Sequence, residues 1–347
     1  MMRYRDRPAK DNAMQSAPDR MMQMITGHWM TQIVHAAATY SLADELADEP
    51  ATADDIAARL STNPDATFRL LRACVCVGLA TVDADGRFSS TNLLGTLRRD
   101  TPGSLRNVAL VNGGPGYRLP WGKLAEAVRT GERQTIPTLG QELWDHYAAQ
   151  PDEGAAFTNL MSELSAPVAE EAAGLIDTQA TRVAADIGGA AGVLLHALMG
   201  ANPELEGVVL DRPDVIPAAV AAAKRHGLHR RFSAIAGDFF TAVPKADLYL
   251  LKHILHDWDD ASCIRILKNC ARAMNPGGRV VTIELALGEK DEPGVGALLD
   301  LSLMVMTPGR ERSIAQYREL LAAAGLRLAK VTPTRSPVVI MEAVFDD

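Results

Sequence analysis

The spacing of apolar residues changes character about half-way along the chain. From about residue 181, short apolar runs alternate with helical stretches. The runs predict strands at 183–187, 207–211, 232–236, 246–251, 279–285 and 338–344, with helices between them. That alternation is the pattern of a doubly wound α/β sheet. The last strand, VVIMEAVF, follows a helix (IAQYRELLAAAGL) and a short run, LAKVTPT, that is given no strand of its own. Residues 103–180 read as mainly helical, broken at Gly113–Gly116 and around Pro137. Aromatics recur there at Tyr117, Trp121, Trp144, Tyr147 and Phe157.

The first hundred residues follow a third pattern. The polar stretch MMRYRDRPAKDNAMQSAPDR predicts a flexible leader over 1–20. Residues 21–47 predict a helix and its continuation, with Met22, Ile25, Trp29, Ile33 and Val34 in one apolar stripe. Such a stripe either closes on the chain's own core or forms a seam with a second copy. Residues 51–60 predict a short helix, and Asn63-Pro64-Asp65 a break. A second helix is expected over 67–79, followed by a hairpin at Asp85-Gly86. Helix, turn, helix and hairpin make a winged-helix pattern. Its second helix carries only Arg69 and Arg72, little for a DNA-reading surface.

Composition narrows the function. The 347 residues are 47% hydrophobic and 22% charged, ordinary for a globular protein, with a net charge of −8. That charge argues against nucleic acid as a partner. No apolar run reaches the roughly 18 residues of a membrane span, and no secretory signal is present. Cys74, Cys76, Cys263 and Cys270 lack C-x-x-C spacing and are read as reduced core thiols of a cytoplasmic protein. No metal is expected; His226 and His229 sit in a basic helix end, KRHGLHRR.

The chemistry gathers where the strands end. Val183–Gly192, VAADIGGAAG, is strand, acid and glycine turn ahead of a helix, the local form of a nucleotide-type pocket. It fails the dinucleotide spacing, because the second and third glycines would fall on Ala190 and Val193. Asp186 lies ahead of the turn, with helix capping as its alternative role. The second strand ends in Asp211, placed to hold a ribose diol or merely to start a turn before Pro213. The third leads to Asp238-Phe239, an acid and a ring suited to adenine, with a plain loop acid as the alternative for Asp238. The fourth ends in Lys252-His253-Ile254-Leu255-His256-Asp257-Trp258-Asp259-Asp260.

These runs together, VAADIGGAAG, VVLDRPDV, AGDFF and LKHILHDWDDASCIRILKNCARAMNPGGRVVTIE, resemble the S-adenosylmethionine-dependent O-methyltransferases of natural-product pathways, of the plant caffeate type and its bacterial relatives. The resemblance covers nearly the whole chain, and HDWDD with the downstream NPGG is its most specific part. It implies a Rossmann-like class I methyltransferase domain over 181–347 and a winged-helix-like N-terminal dimerisation domain over 21–102. Residues 103–180 become a helical connector and substrate-pocket segment. The implied cofactor is S-adenosyl-L-methionine, leaving as S-adenosyl-L-homocysteine, with no metal. Asp186, Gly188, Gly189, Gly192, Asp211, Asp238, Phe239 and Lys252 are implied to bind it. His256 is the implied general base, braced by Glu284 and by Glu311 in PGRERS; a surface ion pair with Arg310 or Arg312 is the alternative for Glu311, and helix capping or the core for His256.

The chemistry is consistent with those roles. A phenol ionises near pH 10 and an imidazole near 6.5, roughly, so an acceptor hydroxyl needs a base at hand. A carboxylate on the far ring nitrogen fixes the tautomer and stabilises the imidazolium. Trp121, Phe157, Met161, His253, Asp257, Met304 and Met306 are candidates to line an acceptor pocket for a small, planar, polycyclic aromatic secondary metabolite, by their position or chemistry. Many relatives carry a third glycine at position 190, and plant members often carry tryptophan at 253. Two other readings stay open: a non-methylating homologue of the hydroxylase or decarboxylase type, and a winged-helix regulator with a ligand-sensing domain.

Overall fold

The computed structural model describes residues 16–288 and 294–346. Residues 1–15, most of the expected leader, lie outside the described residues. The chain divides into two compact units, up to Gly113 and from Gly114 onward.

In the first unit α1 (Ala17–Thr39) begins inside the stretch expected to be leader. Ser16 caps it, its hydroxyl accepting from the Asp19 N–H, and Pro18 suits the first turn. Ser41, at φ 52°, breaks the expected continuation and starts α2 (Leu42–Glu45). A capping box of Thr52 and Asp55 opens α3 (Ala53–Leu60). Asn63 caps α4 (Pro64–Cys76), which starts three residues earlier than expected because Pro64 takes the first helical position. A hairpin of β1 (Ala80–Val82) and β2 (Phe88–Ser90) follows, then α5 (Asn92–Gly95) and α6 (Arg106–Gly113). Ile56, Leu71, Cys74, Phe88 and Leu94 form the core. The α1 stripe divides: Ile33 and Val34 pack on that core, whereas Met22, Ile25 and Trp29 are each about 60% exposed.

The second unit opens with α7 (Pro115–Trp121), α8 (Leu124–Thr130), α9 (Thr135–Leu139), α10 (Leu143–Ala149) and the long α11 (Pro151–Leu175). The alternating part follows as β3 (Val183–Ile187), α12 (Val193–Ala201), β4 (Glu206–Asp211), α13 (Ile216–Arg225), β5 (Phe232–Ala236), β6 (Ala246–Lys252), α14 (Asp260–Ala273), β7 (Met274–Leu285), α15 (Val295–Met306), α16 (Ile314–Ala323), β8 (Leu326–Pro333) and β9 (Val338–Phe345). The seven strands lie in the order β5-β4-β3-β6-β7-β9-β8, parallel except that β9 runs antiparallel to both neighbours. The run LAKVTPT is thus part of an edge strand, β8, where a connection was expected.

Period-two alternation seals both faces of the sheet. Leu248 and Leu250 of β6 pack with Leu194, Leu195 and Leu198 of α12. Tyr249 and Leu251 face the other way, onto Ile266 and Leu267 of α14 and Leu320 of α16. Burying each such leucine stabilises the fold by about 1.5–3 kcal/mol, so the strand ends project from a rigid base. Cys74, Cys263 and Cys270 are buried thiols as expected, but Cys76 is exposed: it closes α4 on the side away from the core. No helix among the described residues is long and apolar enough to cross a membrane.

Candidate active site

Strand order reverses direction at β3. From there the chain winds outward through β4 and β5, then returns to place β6 on the other side of β3. Neighbouring crossovers depart to opposite faces at the carboxyl ends of β3 and β6, which is where open α/β sheets bind their ligands. The residues singled out in the sequence come together there. At the end of β3 the backbone turns through positive φ at Gly188 (68°), Ala190 (49°) and Gly192 (77°). The positive φ at Gly188 disfavours any side chain there, and a Cβ would also displace Ile254 Cδ1, 2.5 Å away. Ala190 carries its Cβ in the left-handed region all the same, at a cost of about 1–2 kcal/mol.

Asp186 lies beneath the turn, 3% exposed. Burial raises its pKa to about 7, against the pull of the Lys252 ammonium. A backbone hydrogen bond from Leu195, in the first turn of α12, also opposes the rise. Lys252 is half-buried; desolvation lowers its pKa, while Asp186 and Glu284 oppose the shift. Asp211 Oδ2 accepts from the Ala190 N–H at 2.8 Å and Oδ1 from the Arg212 N–H at 2.7 Å. Burial is the main cause that raises the Asp211 pKa. Asp238 is engaged in its own loop, accepting from the Phe240 N–H and the Thr241 hydroxyl. Phe239 packs edge-on against Phe240 and Trp258, and its ring reaches the Gly188 turn.

His256 sits in a single 3-10 turn, Leu255–Asp257, after β6. Its Nδ1 lies 3.2 Å from Glu311 Oε1 and 3.8 Å from Glu284 Oε2. A carboxylate only accepts, so Nδ1 carries the proton and Nε2 is the basic nitrogen. Asp257 Oδ1 lies 3.8 Å from that Nε2. Glu284, fully buried at the end of β7, accepts from the Ile254 and Leu255 N–H groups through Oε1. Its other oxygen and Glu311 Oε2 are buried without a hydrogen-bond partner. Burial alone would lower the His256 pKa, but Asp257, Glu284 and Glu311 outweigh it and raise it to about 9. Burial in turn lifts Glu284 to about 7 and Asp257 to about 6. The His253 ring stacks on His256 at 5.3 Å, its backbone at φ 55° and its Nδ1 3.4 Å from Lys252 Nζ. Burial, Lys252 and His256 hold His253 neutral.

The acids of HDWDD divide the work around this base. Asp259 caps α14 by accepting from the Ser262 N–H, so His256 is not the cap. Asp260 pairs with Arg310 and Arg312, which leaves Glu311 to the imidazole rather than to a surface ion pair. A Cβ on Gly309 would overlap the His256 carbonyl oxygen, so the strand of chain bringing in Glu311 presses directly on the His256 turn.

Aromatic residues of α7, α10 and α11 meet α15 in one cluster. Trp121, Phe157, Met304 and Met306 belong to it, with Tyr147 stacked on Phe157 at 4.7 Å. Tyr117 hydrogen-bonds Ser302. Met161, on α11, is not among the residues of that cluster. The Trp121 Nε1 and Tyr147 hydroxyl are buried without a partner. The sequence marked Tyr147 only as one of the recurring aromatics of 103–180, and Ser302 carries no motif.

A family model described as an O-methyltransferase domain matches residues 121–327, and one described as an O-methyltransferase dimerisation domain matches 22–97. The chain belongs to the O-methyltransferase family. This methyltransferase is 35% identical to a phenazine O-methyltransferase of Lysobacter antibioticus, over 93% of this chain and 95% of the relative. It is 36% identical to the O-demethylpuromycin-O-methyltransferase of Streptomyces alboniger, over 97% and 91%. The solved structure of a neocarzinostatin-biosynthesis O-methyltransferase, in complex with S-adenosylmethionine and 2-hydroxy-5-methyl naphthoic acid, superposes with a TM-score of 0.81 at 35% identity, covering 91% of this chain and 96% of that one. The seven-stranded mixed sheet is that of the class I methyltransferases.

The site fits such a methyl donor. Gly188 turns at positive φ with no side chain between its backbone and the strand end, Asp211 keeps spare lone pairs beside the turn, and the Phe239 ring lies close by. Among the described residues no group of three or more His, Cys, Asp or Glu is placed to hold a metal ion.

Proposed function

We propose that this methyltransferase moves the methyl group of S-adenosylmethionine onto a phenolic or enolic hydroxyl of a small, planar, polycyclic aromatic secondary metabolite, with His256 as general base. The observation that supports this reading is the pairing of His256 Nδ1 with Glu311 and Glu284, which leaves Nε2 as the basic nitrogen, two residues along from Ile254, whose side chain meets the Gly188 turn. The bound donor supplies an electrophilic methyl on its sulfonium. Gly188, Gly189 and Gly192, with Asp186 and Lys252, would hold its amino-acid end. Asp211 takes the ribose hydroxyls, and Asp238 with Phe239 flanks the adenine.

His256 Nε2 accepts the proton of the acceptor hydroxyl as the oxygen attacks. Raising the imidazolium pKa toward that of a phenol makes the transfer nearly even. A gap of about one unit replaces one of about 3.5, a difference of roughly 3 kcal/mol. The unpartnered oxygens of Glu284 and Glu311 then face a positive charge, which compensates their burial. Trp121, Phe157, Met304, Met306 and Tyr147 wall the acceptor, with His253 and Asp257 at the reacting end and Met161 behind.

Methyl-labelled S-adenosylmethionine offered with a panel of phenols (1,4-dihydroxy-2-naphthoate, a hydroxyphenazine and N-acetylserotonin) tests the reaction. Label on the acceptor oxygen is expected. Hydroxylated or decarboxylated product without label overturns it in favour of a non-methylating activity. His256→Ala is expected to lower turnover about 10²-fold or more with little change in donor affinity. A homodimer through the exposed face of α1, at Met22, Ile25 and Trp29, completes the proposal.

A further inference from the structure

Arg312 is the largest fully buried side chain among the described residues, at 0% exposure. Nothing in the proposed chemistry uses it. Its Nη1 donates to the Leu255 carbonyl at 2.9 Å, and its Nη2 to the Trp258 carbonyl at 2.7 Å. Nη2 and Nε also donate to Asp260 Oδ1, at 2.8 and 3.1 Å. The two carbonyls bracket His256 in the chain. Glu284 holds the same turn from the other end, through the Ile254 and Leu255 N–H groups. The backbone of Arg312 is itself tied down, its carbonyl accepting from the Leu287 N–H just beyond β7.

We propose that Arg312 is a positioning residue that sets the distance between His256 and Glu311, by clamping the His256 turn to the segment that carries Glu311. This rests on the reading of His256 as the base. Glu311 immediately precedes Arg312, so a guanidinium fixed to the His256 turn also fixes the carboxylate behind the imidazole. The planar fork matters: it reaches two carbonyls and a carboxylate at once, which a lysine ammonium cannot do in the same geometry. The positive charge persists in a dry site because Asp260 and the carbonyls satisfy its donors.

The test is Arg312→Lys, read two ways. The first is histidine NMR of the apo protein across pH, with His256 assigned among the eight histidines by its absence in His256→Gln. The second is steady-state methylation of the panel phenol turned over fastest. The proposal expects the His256 titration to move by about one unit or more toward the ordinary imidazole value, as its carboxylate drifts away. It expects kcat to fall about 10- to 100-fold while donor KM stays within about threefold. Wild-type titration in a folded Arg312→Lys protein overturns the proposal, whatever happens to the rate. Should Arg312→Lys not fold, Asp260→Asn decides: a smaller titration shift in the same direction supports the clamp, and no shift overturns it. His256→Gln with wild-type turnover instead removes the general-base reading, and the NMR titration still reports on the clamp.

Discussion

Replacing Glu311 by glutamine removes one negative charge and leaves a side chain of the same shape behind the imidazole. The carboxylate lies 3.2 Å from His256 Nδ1 and is only 4% exposed. At an effective dielectric near 20, that charge stabilises an imidazolium by about 5 kcal/mol gross. The glutamine oxygen still accepts from the N–H, and the lost difference between a charge-assisted and a neutral hydrogen bond is about 1 kcal/mol. The true loss lies between these bounds, so kcat should fall about 10- to 10³-fold, since each 1.4 kcal/mol is tenfold. The pH dependence carries a sign as well. His256 must be neutral to accept a proton, so the wild-type rate rises with pH as an imidazolium raised to about 9 deprotonates. In Glu311→Gln the imidazolium is a stronger acid, so the rising limb moves to lower pH while its plateau drops. The assay is transfer of labelled methyl to the best panel phenol from about pH 6 to 10, with donor affinity measured by calorimetry as a control. A kcat within twofold of wild type with an unmoved limb refutes the reasoning.

Three further outcomes follow from other parts of the molecule. Ala190→Gly relieves a left-handed alanine at φ 49°, partly offset by glycine's larger chain entropy; chemical denaturation should show up to about 1 kcal/mol of added stability, and a loss contradicts it. His196, 7% exposed, has its pKa lowered to about 4 by burial, with His226 and Arg225 adding to the effect. A depressed histidine stabilises the fold fully above its unfolded pKa and loses that stabilisation as pH falls from about 6.5 toward 4. The melting temperature should fall across that window, and less steeply in His196→Leu; parallel curves contradict it. Trp29→Glu places a charge on the exposed apolar face of α1 and should shift the protein toward monomer in light scattering, whereas an unchanged mass contradicts the seam.

Much of the fold was legible because buried parallel strands are written as apolar runs with sharp ends. β3, β4, β5 and β6 lie within a residue of where the pattern put them. β8 escaped because it is an edge strand: Arg327 and Lys330 point to water, and only Leu326 and Leu328 touch the core. The break at Ser41 escaped because no proline or glycine marks it; tertiary packing of α2 imposes the left-handed residue. At the site, acids and glycines at strand ends are visible wherever topology places strand ends together, so Asp186, Gly188, Asp211, Lys252 and His256 could be named from the sequence. Arg312 could not. An arginine in PGRERS looks like a surface cation, and only the three-dimensional meeting of the His256 turn with that segment buries it.

The claim that His256 removes the acceptor proton meets its most direct test in a series of ring-substituted acceptors of decreasing phenol pKa, methylated by wild type and by His256→Ala at one pH. If the imidazole takes the proton, the deficit of the variant shrinks from about 10²-fold toward unity as the acceptor becomes ionised in solution. A deficit that stays constant across the series contradicts the account.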